Sequence, residues 1–147
     1  MWGGNRQLIE KLLDAGARFL VVGGEAVRVY APDRVVNDLD VLIDPTAANA
    51  IKVASAFDGL PYHYDLKALA DGLTRPAVKF QDRRVYDVDV LTPQADMHFD
   101  SEFTLGRNAV IDGLAVRVAA PETLLKLLER STEAKHEADR ERLRGLT

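Results

Sequence analysis

The spacing of apolar residues along the chain switches repeatedly between a helical and a strand period. Leu8, Ile9, Leu12 and Leu13 recur at helical spacing over residues 5–15, and Gly16 follows where a left-handed C-cap belongs. Residues 18–22 are nearly all apolar, which predicts a strand buried on both faces and therefore central in a sheet. Gly23-Gly24 leads into a short helix over 25–30, and Ala31-Pro32-Asp33 is a loop. A second strand over 38–43 alternates, with Leu39, Val41 and Ile43 on one face and Asp38 and Asp40 on the other. Asp44 or Thr46 is placed to cap the next helix, with Pro45 acceptable in a first turn. Ile51, Ala54 and Phe57 are its expected inner face, and Gly59 ends it.

Residues 60–76 are broken by Pro61, Gly72 and Pro76 and leave room for a short helix over 66–70. Two strands over 77–81 and 85–91, with a polar turn at Asp82-Arg83, predict an antiparallel hairpin. Val85, Asp87, Asp89 and Leu91 share one face of its second strand. A further hairpin is expected where 110–111 and 115–118 flank Asp112-Gly113. Pro121-Glu122 starts a helix that buries Leu124, Leu125, Leu127 and Leu128 and turns Lys126 away. The charged tail over 132–144 is a helix with a thin apolar side of Ala134, Ala138 and Leu143. This order of elements predicts an α/β (α+β) domain with a short mixed sheet and a helical C-terminus.

Composition narrows the class. A chain of 147 residues, 47% apolar and 29% charged, suits one soluble domain with a real core. No apolar run approaches the roughly 20 residues of a membrane span. Arg6, Glu10 and Lys11 interrupt the start, unlike a signal peptide, so a cytoplasmic protein is expected. The absence of cysteine removes disulfides, thiolate catalysis and zinc–thiolate sites. A net charge of -4 argues against indiscriminate nucleic-acid binding. No repeat, low-complexity stretch or linker is visible.

The candidate chemistry lies around the second strand. Asp38 and Asp40 sit side by side at one strand edge, where they repel, and the usual reason to keep such a pair is a divalent cation such as Mg²⁺ held by oxygen ligands. Gly23-Gly24 has two readings: a tight strand-to-helix turn, or close backbone approach to phosphate at a helix start. The nearby acids favour phosphate. Arg34 is either a bidentate phosphate donor or a solvated loop arginine. Either Asp87 or Asp89 can complete the acidic site by alternation alone. His63, alone among tyrosines, suits a packing or surface role.

Gly23-Gly24, a spacer, then Asp38-Leu39-Asp40 between apolar residues resembles the signature of the nucleotidyltransferase superfamily (the polymerase-beta-like fold). Arg34 to Asp40 is most similar to the Arg-x-Thr-x-Asp-hydrophobic-Asp run of the small bacterial AbiEii-type toxins and related stand-alone domains, with Val36 where threonine is usual. The family's third carboxylate lies in a hydrophobic-Asp-hydrophobic-Leu run, which Val88-Asp89-Val90-Leu91 matches, so the resemblance selects Asp89 over Asp87. A family lysine thought to meet the nucleotide matches Lys126, whose other reading is a surface pair with Glu122. The tail keeps the family frame at Lys135, Asp139 and Leu143 but has His136 where the family has Asp; Asp139 is read as structural more than catalytic. His136 also follows Arg130 at a spacing found in some helical ribonucleases.

The resemblance implies a metal-dependent nucleotidyltransferase. It would move a nucleoside monophosphate from a nucleoside triphosphate to RNA, a protein or a small molecule, a chemistry that also suits the toxin of a toxin–antitoxin pair. Asp38, Asp40 and Asp89 would hold Mg²⁺ or Mn²⁺ and carry catalysis, with Gly23, Gly24, Arg34 and Lys126 at the nucleotide. The departures at Val36 and His136 support an alternative, a catalytically degenerate domain that binds a nucleotide or a protein partner. A dinucleotide-binding domain is disfavoured, because Gly23-Gly24-Glu25-Ala26-Val27 lacks the G-x-G-x-x-G spacing.

Overall fold

The computed structural model describes residues 3–129 and 131–146. In chain order the elements are α1 (Gly3–Asp14), β1 (Phe19–Val22), α2 (Gly23–Tyr30), β2 (Leu39–Ile43), α3 (Ala47–Ser55), α4 (Leu66–Gly72), β3 (Lys79–Asp82), β4 (Val88–Leu91), α5 (Phe99–Leu105), β5 (Arg107–Ile111), β6 (Leu114–Val118), α6 (Pro121–Leu128) and α7 (Ala134–Arg144). Among the described residues the strands form one six-stranded mixed sheet, ordered β3-β4-β2-β1-β6-β5. All four residues of β1 are buried, in keeping with its interior place between antiparallel β2 and parallel β6. The mixed sheet with flanking helices and a helical C-terminus is the expected α/β (α+β) architecture.

Register is what builds the site. β2 and β4 run parallel with Asp40 opposite Asp89, and Val22 lies opposite Asp40 on the other side. One end of β1 and one face of β2 and β4 therefore converge on a single point of the sheet.

Several elements differ from the sequence expectation. Ile51 is 63% exposed, and the inner face of α3 is Ala50, Val53 and Ala54. The cap at Thr46, whose hydroxyl accepts from the Asn49 N–H, sets that rotation. Phe57 is buried as expected, but beyond the end of the helix, against Tyr64, Phe80 and Tyr86. Asp82 ends β3 rather than forming a solvated turn. Its buried carboxylate accepts from the Tyr62 hydroxyl at 2.6 Å, the Tyr64 hydroxyl, and the N–H groups of Arg84 and Tyr86. These donors hold its pKa low against the opposing effect of burial, and they staple the loop that leads into β4.

Helix α5 had no periodic signal in the sequence, since seven residues hold too few apolar positions. Phe99 and Phe103 form it by packing at 5.5 Å on one side of Arg18, whose guanidinium lies 5.3 and 5.1 Å from their rings. On α6, Thr123 and Leu124 are buried while Leu125, Leu127 and Leu128 are partly buried. On α7 the inward face is Asp139, Arg140 and Leu143, and both Ala134 and Ala138 are exposed. Among the described residues no helix is long and apolar enough to cross a membrane.

Candidate active site

Asp38, Asp40 and Asp89 each offer one carboxylate oxygen within 4.8 Å of the other two. Asp38 precedes β2, Asp40 lies within it, and parallel pairing brings Asp89 alongside. Gly23 stands directly against Asp40. Its φ is +64°, and a Cβ there would lie 2.0 Å from Asp40 Oδ2. Glycine is thus required twice, for the left-handed backbone and for the space the carboxylate fills. The Asp40 pKa is pushed up to about 8, first by burial and then by the charges of Asp38 and Asp89, with Lys79 opposing.

A cavity of about 250 Å³ opens from this cluster. Gly24 lines it, and a Cβ there would lie 3.2 Å from Arg34 Nη2 and 3.3 Å from the Val36 methyls. Helix α2 starts here with no side-chain cap, so its first N–H groups have no side-chain partner at the cap. Leu91, Leu124, Leu127 and Leu128 make an apolar wall, and Lys135, His136 and Asp139 reach it from α7. Arg34 is held by Asp139, with Nε on Oδ1 at 2.8 Å and Nη2 on Oδ2 at 3.2 Å. Hydrogen bonding to Asp139 is the main reason the Arg34 pKa is raised. Two further cations sit on Asp89: Arg83 Nη2 lies 2.6 Å from Oδ1, and Lys79 Nζ lies 3.7 Å from Oδ2.

A crystal structure of an antigenic nucleotidyltransferase-like protein from Paracoccidioides brasiliensis matches this arrangement of elements. The TM-score is 0.52, over 95% of this chain and 74% of that chain, at 16% sequence identity. The fold is nucleotidyltransferase-like. At this identity the likeness is one of fold alone. No protein-family model and no curated protein matches the sequence.

On this nucleotidyltransferase-like fold, Gly23, Gly24, Arg34, Asp38, Asp40 and Asp89 all line the one cavity. Three clustered carboxylates, with a glycine clearing the space beside one of them, fit a hard divalent cation, for which oxygen donors are the preferred ligands. Lys126 does not line the cavity. Its ammonium lies 3.2 Å from Glu102 on α5, a partner 24 residues away rather than Glu122 on its own helix. Asp87 is turned aside onto Arg83 Nε at 3.2 Å. His63 is exposed. His136 meets Ser131 through Nδ1, and Arg130 lies outside the described residues.

Lys79 escaped sequence reading, and Arg83 was read only as part of a polar turn. A signal existed for both: Lys79 pairs with Leu91 across the hairpin, two residues along from Asp89, and Arg83 stands four residues before Asp87. The leucine wall was legible only as core, because nothing in helical spacing shows that Leu127 and Leu128 border a cavity.

Proposed function

We propose that this protein is a divalent-metal-dependent nucleotidyltransferase that moves a nucleoside monophosphate from a nucleoside triphosphate to an acceptor hydroxyl. One observation carries the reading: three carboxylates converge on one another, and the missing Cβ of Gly23 makes room for Asp40 among them. A fold that only needed a turn at Gly23 would not gather mutually repelling acids around the Asp40 that fills its space.

Asp38, Asp40 and Asp89 would hold Mg²⁺ or Mn²⁺, which supplies charge neutralisation for the triphosphate. The Gly23-Gly24 backbone and the start of α2 receive phosphate oxygens through N–H groups, and Arg34 adds a cation beside them. The leucine wall of α6 suits the apolar faces of a nucleobase. Asp89 orients the acceptor hydroxyl and takes its proton. The acceptor oxygen bonds to the α-phosphorus, the α–β anhydride bond breaks, and pyrophosphate leaves. RNA, a protein or a small molecule remains the acceptor class. The run from Arg34 to Asp40 supports a place near the AbiEii-type toxins, with a protein partner.

The test is incubation with each α-labelled triphosphate and Mg²⁺ in cell extract, followed by separation of RNA, protein and small molecules. Label transfer that vanishes in Asp38→Asn/Asp40→Asn is expected. Undiminished transfer in that variant refutes the assignment. A degenerate, binding-only domain is the second reading, favoured by Lys126 being turned onto Glu102. Metal-dependent nucleotide binding without transfer would select it.

A further inference from the structure

The cleft depends on a contact between distant parts of the chain. Arg34 belongs to the loop before β2, and Asp139 to α7, 105 residues later. The Asp139 side chain is 3% exposed and receives both forks of Arg34, together with Arg142 Nη1 at 3.3 Å. Arg142 in turn reaches Asp33, at 3.8 Å, in the same loop as Arg34. A surface helix held by ordinary packing would turn its alanines inward and its carboxylates out. Helix α7 departs from that: beside Leu143 it buries Asp139 and Arg140, while Ala134 and Ala138 face solvent. Its buried carboxylate is therefore spent on an arginine of the cleft.

That arginine lies in the cavity. The closest atom to a Cβ built on Gly24 is Arg34 Nη2, so the guanidinium lies over the start of α2. The charges of Asp38 and Asp40 also act on it. A planar guanidinium held at two nitrogens by one carboxylate has its orientation fixed, which a single contact would not achieve. Its third nitrogen is turned to the Val35 carbonyl.

We propose that Asp139 is a positioning residue that fixes the plane of the Arg34 guanidinium over the Gly23-Gly24 turn, so that the C-terminal helix sets the affinity of the cleft for a triphosphate. The proposal rests on the nucleotidyltransferase reading above. Asp139 itself touches no phosphate, because its oxygens are committed to arginines.

Magnesium tripolyphosphate is a suitable probe, because it carries the phosphate chain without a base. Its dissociation constant is measured by calorimetry for the parent, Asp139→Asn, Arg34→Gly and the double variant, with thermal melts confirming that each is folded. Loss of one charge-assisted hydrogen bond predicts about tenfold weaker binding for Asp139→Asn. The double variant should bind no more weakly than Arg34→Gly, since the two act as a unit. Added guanidinium chloride at millimolar concentration should restore binding to Arg34→Gly, and not to the double variant. A carboxylate that merely anchored α7 would not govern that rescue. Parental affinity in Asp139→Asn, additive losses, or rescue regardless of Asp139 would each overturn the proposal. Should Asp139→Asn fail to fold, Asp139→Glu replaces it, keeping the charge while shifting the fork; unchanged affinity in that variant overturns the proposal equally. A parent that ignores magnesium tripolyphosphate refutes the nucleotidyltransferase reading itself.

Discussion

Asp40→Asn offers a test of the acidic cluster that requires no substrate. In the folded protein the Asp40 carboxyl titrates at about 8, against about 3.9 in an unfolded chain. Between those values the folded state keeps a proton that the unfolded state releases. Stability therefore falls as pH rises, by at most about 1.4 kcal/mol per pH unit for one such group. The penalty is absent below about pH 4 and complete above about pH 8. From pH 5 to pH 7 its face value is about 2.7 kcal/mol, and solvent relaxation around a carboxylate that is not fully buried halves that to roughly 1.3 kcal/mol. Asparagine is neutral and nearly isosteric, so it removes the slope. In EDTA the variant should be more stable than the parent at pH 7, against the usual sign for a point mutation. Urea melts of both proteins from pH 4.5 to 8.5 give the difference for the cluster, and titrations remote from it cancel. A difference independent of pH, or a variant less stable than the parent at pH 7, refutes the crowding argument and makes the three acids structural.

Further expectations follow from the same geometry. Gly23→Ala meets both a φ of +64° and an Asp40 oxygen 2.0 Å from the new Cβ, so it should cost about 1–3 kcal/mol and abolish binding of Mn²⁺ followed by electron spin resonance. Asp89→Asn should cost far more transfer activity than Asp87→Asn, because Asp89 lies in the cluster and Asp87 is turned onto Arg83; the reverse order of rates would mean the wrong carboxylate has been chosen. Magnesium with a triphosphate at a hundredfold excess over its dissociation constant should stabilise the parent by about 2.7 kcal/mol in thermal melts, and Asp38→Asn/Asp40→Asn should lose most of that gain. Lys126→Met, which leaves the cleft untouched, should keep triphosphate affinity near the parent value; a large loss would show that Lys126 leaves Glu102 to reach the nucleotide.

What the sequence determined by itself is local. The unbroken apolar run of β1 could only be a central strand. The alternation from Leu39 to Ile43 puts Asp40 on one face and Leu39, Val41 and Ile43 on the other by the period of a strand, whatever surrounds it. Gly16 and the Asp112-Gly113 pair, with φ of 69°, 49° and 79°, announce their turns because left-handed backbone restricts which residues can stand there. Other features waited on packing at long range. Whether Asp87 or Asp89 meets Asp40 is decided by the register between β2 and β4, which alternation alone leaves open. Ile51 has the right residue type for a core face but the wrong rotation once Thr46 sets the start of α3. Lys126 and Arg34 are cations of equal promise in the sequence. Only the fold shows one tied to Glu102 outside the cavity and the other gripped by Asp139 within it, because an ion pair between elements 24 or 105 residues apart leaves no trace in local spacing.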